Sequence, residues 1–214
     1  MTVAIELTQE KILDAAIRHV PFDGWSLAAW NRGAADAGID SVDARRLYPG
    51  NPGVMMSCHS KIMDRRMLAA LETRDLDNLR GRERISAAVR VRLELTAGNR
   101  EAVRRGVSLM ATPFYAPLAT RLLYRTVDAM WAAAGDASTD YNHYTKRALL
   151  AGVYGVVVLY WLNDKSEGCA DTWSFLDRRI DDVMKVPKLM SAPSRILQRL
   201  SISPKLFRRR SKFA

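Results

Sequence analysis

The chain has 214 residues, of which 48% are hydrophobic and 26% charged, with 8 prolines, 12 glycines and 2 cysteines. That composition excludes a disordered chain and a disulfide-stapled scaffold, and the length is enough to bury a core without metals or bridges. The formal charge of +10 is uneven: residues 185–214 hold nine basic side chains and no acid, whereas the rest sets 24 basic residues against all 23 acidic ones.

Strand signals are scarce and apolar residues recur at three-and-four spacing, which predicts an all-α protein. A first helix runs from Thr8, read as its cap, to Val20, with Ile12, Leu13, Ala16 and Ile17 inward. A second spans Ser26 to Ala37 and stops at Gly38; a third covers Val42 to Leu47 and ends before Pro49 and Gly50. Pro52 opens a longer helix carrying Met55, Met56, Ile62, Met63 and Met67. Beyond the charged stretch 75–83, helix resumes with Ile85, Val89 and Leu93 one turn apart and closes before Gly98. Asn99 is read as the cap of a segment with Val103, Val107 and Met110. Pro113 and Pro117 mark a break, and Leu118 to Ala134 forms a helix closed by Gly135. Next comes the apolar segment Tyr144 to Leu162, then a last core helix capped by Asp171 or Thr172, with Trp173, Leu176, Ile180 and Val183 on one face.

Within the apolar segment, the charge-free run from Ala148 to Leu162 is fifteen residues, short of the ~20 that span a bilayer, and is read as a buried helix. Gly152 and Gly155 inside it are read as points where another backbone approaches closely. The first ten residues lack the pattern of a secretory signal, and Cys58 and Cys169 are read as reduced thiols, so a cytoplasmic location is expected.

The organisation expected is a three-helix head at 1–50, a helical body at 51–186 and a tail at 187–214. The head, with Ile12-Leu13-Asp14-Ala15-Ala16, Ala34-x-x-Ala37-Gly38-Ile39 and Leu47-Tyr48, resembles the helix-turn-helix of tetracycline-repressor-type regulators. A DNA-binding regulator is thus the alternative reading. The third helix, however, opens with Asp40, Ser41, Val42 and Asp43, two carboxylates where phosphates would dock, which argues against DNA. In the tail, Arg195, Ile196, Leu197, Arg199 and Leu200, then Leu206, Phe207, Arg208, Arg209 and Arg210, form a basic amphipathic pattern suited to an anionic membrane surface.

No catalytic motif emerges, and the three histidines fall in different segments, so neither metal nor cofactor is expected. Asp140-x-x-His143 is a single carboxylate-His pair without the second copy of a di-iron bundle; it reads as a helix cap followed by a surface imidazole. Between Leu118 and Val183 the helices carry a large aromatic and apolar load: Leu122, Leu123, Val127, Met130, Trp131, Tyr154, Val157, Trp161, Trp173 and Leu176. Helices so loaded form a core, and together they can also enclose an elongated cavity that accepts a lipid.

The segments Tyr124-Arg-Thr-Val-Asp128-Ala-Met-Trp131, Ala134-Gly135-Asp136-x-Ser138-Thr139-Asp140-x-Asn142-x-Tyr144-Thr145-Lys146-Arg147 and Thr172-Trp173-x-Phe175-Leu176-x-x-Arg179-Ile180 resemble the coenzyme Q (ubiquinone) biosynthesis accessory protein family. The likeness extends to Pro21-Phe22-x-Gly24-Trp25-Ser26 and Leu47-Tyr48-Pro49-Gly50. It implies a tetracycline-repressor-like all-helical fold, a non-enzymatic pocket for isoprenoid quinone intermediates, a membrane-binding C-terminal amphipathic helix and a homodimer, peripheral on the inner membrane. It also implies presentation of the lipid to a di-iron hydroxylase through a patch that maps onto Asp140, Asn142, His143, Tyr144 and Arg147. The family usually has Trp where this chain has His143.

Overall fold

The computed structural model describes residues 2–76, 78–136 and 141–190, with side chains from residue 5 to residue 183 of those stretches apart from 141 and 142. Ten α-helices and two short 3₁₀ turns make up the described residues, which contain no strand. The all-α expectation holds.

The head is formed by α1 (Thr2–Ala16), α2 (Val20–Asp23), α3 (Leu27–Asp36) and α4 (Ser41–Leu47). Three starts lie where side-chain chemistry puts them. Ser26 Oγ accepts from Ala29 N at 3.3 Å, Asp40 accepts from Val42 N at 2.8 Å, and Asn51 accepts from Val54 N at 3.0 Å at the head of α5. The first helix departs from the reading above. It begins at Thr2 and ends at Ala16, so Thr8 is an interior residue. No glycine or proline precedes Thr8 to force a start there, and Pro21, in the first turn of α2, marks a separate short helix.

The body comprises α5 (Pro52–Glu72), α6 (Gly81–Glu94), α7 (Arg100–Met110), α8 (Ala116–Ala133), α9 (Tyr141–Asn163) and α10 (Ala170–Met190). Two cap assignments are corrected. Asn99 makes no capping bond from its side chain. The N–H groups of Asp171 and Thr172 are satisfied from upstream, by Ser166 Oγ at 3.1 Å and Asp164 Oδ2 at 2.9 Å. Asp164 also accepts from the Ser166 and Thr172 hydroxyls, and these bonds outweigh desolvation to hold its carboxyl well below the usual range.

The α9 helix extends well past the charge-free run. From His143 to Asn163 it is long and apolar enough to cross a bilayer by length and composition. It is nonetheless built into the body, with Leu150, Val153, Val157, Trp161 and Leu162 buried against α8 and α10. Its start is fastened to α8 and the turn after it by Arg147, 3% exposed, whose guanidinium donates to Asp128 at 2.5 Å and Asp136 at 3.2 Å.

Two apolar cores result. One gathers Ile12, Leu13, Trp30 and Ala44 of the head with Met55, Ile62 and Met63 of α5 and Ala102 of α7. The other gathers α5, α6, α8, α9 and α10 around Met67, Val89, Met130, Val157, Trp161 and Leu176.

Candidate functional site

Among α5, α6, α7, α8 and α9 the body leaves a cavity of about 400 Å³. Its walls come from Met56, His59 and Ser60 of α5, Arg92 and Leu93 of α6, Val103, Val107 and Met110 of α7, Ala119, Leu122, Leu123 and Thr126 of α8, and Tyr154, Gly155, Val158 and Leu159 of α9, with Trp25 and Thr96 completing them. Close packing on one side sets its shape. A Cβ at Gly106 would come within 2.6 Å of Met56 Cε and 3.2 Å of Trp25 Nε1, so glycine lets α7 lie against that corner. Trp25 is fixed there by donating from Nε1 to Ala102 O at 3.1 Å.

The space is graded from wet-tolerant to greasy. Trp25, His59, Arg92, Leu93, Thr96 and Thr126 are each under 9% exposed and form its deep end, whereas Ala111 and Leu159, at 52%, stand at the rim. His59 meets Trp25 edge to face at 5.3 Å between ring centroids. Burial first, then the positive charges of Arg92 and Arg66, push the His59 pKa down to about 3, so the imidazole is neutral. Burial raises the Tyr154 phenol above its ordinary value, with Arg92 opposing and Asp64 reinforcing the shift. Behind the floor, Asp64 on α5 accepts from Arg92 Nε at 3.1 Å, Arg125 Nε at 3.2 Å and Thr126 Oγ1 at 2.9 Å, tying three helices together.

Of the ten side chains expected to line a lipid site, Leu122, Leu123 and Tyr154 border this cavity. Val127, Met130, Trp131, Val157, Trp161 and Leu176 belong instead to the solid core beneath, each no more than 8% exposed. Trp173 is half-buried on the α6 side, with Arg90 over its ring at 4.9 Å and its Nε1 donating to Gly168 O at 2.8 Å. The lining from α5, α6 and α7 was not singled out by the sequence pattern. Gly152 and Gly155 also require a correction. A Cβ at either would meet nothing within 4 Å, so these glycines face open space, Gly155 that of the cavity, and admit no backbone.

Among the five patch residues, Tyr144 stands out at 65% exposure, with His143 edge to face against it at 5.1 Å. Arg147 lies beneath the surface in its ion pairs. Asn142 is in the first turn of α9, its side chain outside the described residues, as is Asp140 entirely. The basic amphipathic pattern from Arg195 to Arg210 also lies outside the described residues. Among those described, no three His, Cys, Asp or Glu side chains assemble as metal ligands, and Cys58 and Cys169 form no disulfide.

The helices that carry the cavity's far wall are also the most recognisable part of the chain. The COQ9 family model matches residues 116–187, covering α8, α9 and nearly all of α10. The ubiquinone biosynthesis protein COQ9, mitochondrial, of Rattus norvegicus is 34% identical over 194 residues, and that of Homo sapiens 33% over 187.

The chain is related to the COQ9 proteins.

Each alignment covers 85% of this chain but only 60% of the rat protein and 59% of the human one, so the chain spans about three fifths of the length of these relatives. The fold is shared more widely. A TetR transcriptional regulator from Nitrosomonas europaea superposes with a TM-score of 0.67 at 21% identity, covering 82% of this chain and 97% of the regulator. The tetracycline-repressor-like fold expected from the sequence is therefore present, and at that identity the likeness concerns architecture alone.

Proposed function

We propose that this chain is a non-enzymatic lipid-binding accessory protein of ubiquinone biosynthesis, which holds an isoprenoid quinone intermediate at a membrane and presents it to a pathway hydroxylase. The observation that carries the reading is the graded cavity among α5 to α9, polar at its floor and apolar at its rim. An aromatic head group with oxygen substituents matches the floor, where Ser60, Thr126 and Tyr154 offer hydroxyls. About 400 Å³ lies near the small end of ligand pockets, enough for the head and the first part of a prenyl chain. The rest of the chain would leave past Leu159 along Val156 and Tyr160, which are 45% and 40% exposed.

A lipid that water rejects has to be loaded from a bilayer. The basic, apolar-studded residues 195–210 supply the chemistry for adhesion to an anionic surface, each cation near it adding about 1 kcal/mol. Homodimerisation and contact with a hydroxylase belong to the same proposal. For the latter, Tyr144 offers an exposed aromatic anchor beside His143. The repressor reading has the head's architecture in its favour, but Asp40 and Asp43 are both exposed at the start of α4, and Asp43 pairs with Arg46 at 3.8 Å.

Mass spectrometry of lipid extracted from the purified protein tests the proposal. Prenylated quinone precursors at near-stoichiometric amount support it. Only bulk phospholipid, together with failure of added precursors to bind, contradicts it.

A further inference from the structure

The floor of the cavity carries an unbalanced charge. Arg92 lines it at 7% exposure, between Val91 and Leu93, which are 2% exposed. Its Nε is spent on Asp64 Oδ1, while its terminal nitrogens have no acceptor among the described residues. Asp64 must also serve Arg125 and Thr126, so one carboxylate answers two guanidiniums, and Arg125 Nη2 is itself buried without a partner. Nothing else facing the space restores balance. The other titratable groups of the lining are His59 and Tyr154, and no Asp or Glu belongs to it. Guanidinium N–H groups that border the cavity without a protein acceptor are left to water until a bound group brings an anionic oxygen to them.

We propose that the terminal nitrogens of Arg92 receive a carboxylate carried by the ligand's aromatic head, so that the cavity selects acidic prenylated aromatics over neutral ones of the same shape. A planar guanidinium with two free parallel N–H groups fits a carboxylate in bidentate fashion, whereas a neutral carbonyl takes up only part of that capacity. The rings of Trp25, His59 and Tyr154 around the same end suit an aromatic head. This rests on the lipid-binding reading above and narrows the ligand to an intermediate of quinone synthesis that still carries a carboxylate, ahead of the quinone itself.

The probes are a farnesylated hydroxybenzoic acid and its methyl ester, which differ by the charge and one methyl group, measured by equilibrium dialysis with the full chain at pH 7.5. The acid is expected to bind at least tenfold more tightly than the ester, and Arg92→Gln to remove most of that preference by weakening the acid far more than the ester. Equal affinities in the unaltered chain overturn the proposal and leave the lipid reading standing. Binding of neither probe overturns both. Arg92→Gln frees a buried carboxylate and can compromise folding, so the acid–ester comparison in the unaltered chain is decisive by itself. Arg92→Lys, which keeps charge but loses the fork, should fall between the two; full retention of the preference in a folded Arg92→Gln protein contradicts the assignment.

Discussion

The head and the body are assembled from helices of similar pattern, but one is filled and the other hollowed. In the head, α1 and α3 touch so closely that a Cβ at Gly33 would lie 2.4 Å from Ala16 N, and Trp30, fully buried, donates from Nε1 to Ala44 O at 2.7 Å. In the body, α5 through α9 splay around about 400 Å³, and Gly155 faces that space with nothing near it. A repressor-like architecture can thus keep its head as a rigid packing unit while the body's contacts are given over to enclosing a guest. The contrast also separates two kinds of apolar residue, those whose loss removes structure and those whose loss enlarges a space that already exists.

Truncation breaks or upholds that contrast most forcefully. Trp30→Ala in the head should cost about 3–5 kcal/mol, because it vacates a close-packed site and strands the Ala44 carbonyl. Leu123→Ala at the cavity wall should cost under ~2 kcal/mol, since its side chain is only half-buried and already borders open volume. Urea denaturation midpoints check both, and equal losses would erase the distinction.

The buried imidazole gives a second probe. Between the ordinary value of 6.5 and about 3, the unfolded chain binds a proton at His59 that the folded chain refuses. Stability therefore rises with pH through this window and is lost on acidification. His59→Phe should abolish about 2 kcal/mol of the loss between pH 8 and pH 5, read as the difference in denaturation free energy between the two proteins at each pH. An unchanged pH profile would mean that the imidazole is not shut away from water.

Filling the hollow should then uncouple binding from stability. Gly155→Leu projects a side chain into the cavity at a helical position with no neighbour within 4 Å. It should weaken prenyl-lipid affinity about tenfold, roughly 1.4 kcal/mol, without lowering the denaturation midpoint. The smallest effect is Gly152→Ala, which relieves a glycine inside α9 and should stabilise by about 0.5–1 kcal/mol, seen as a small rise in midpoint with lipid affinity unaltered.

The order of elements was legible because local chemistry dictates it: Ser26, Asp40 and Pro52 mark helix starts through groups on neighbouring residues. Thr8 misled because a hydroxyl marks a start only where something stops the helix upstream. The cavity was half legible. Periodicity tells which face of α8 and α9 turns inward, but not whether that face meets a neighbour or a void. Leu122 and Leu123 border the space while Val127 and Met130, one and two turns on, are packed solid. The polar floor was missed altogether. Arg92 reads as a surface charge on a helix, and its only local signal is its place between Val91 and Leu93, both on buried positions. Its pairing with Asp64, 28 residues earlier, belongs to tertiary structure and no local rule anticipates it.

The most direct test of the cavity as a lipid site is photo-crosslinking of the full chain with a prenyl-quinone analogue whose tail bears a benzophenone, followed by mapping of the labelled peptides. The account predicts labels in α7, α8 and the 154–159 stretch of α9, competed away by unmodified lipid and weakened in Gly155→Leu. Labels confined to the head or to residues 187–214, undiminished by that substitution, would contradict it.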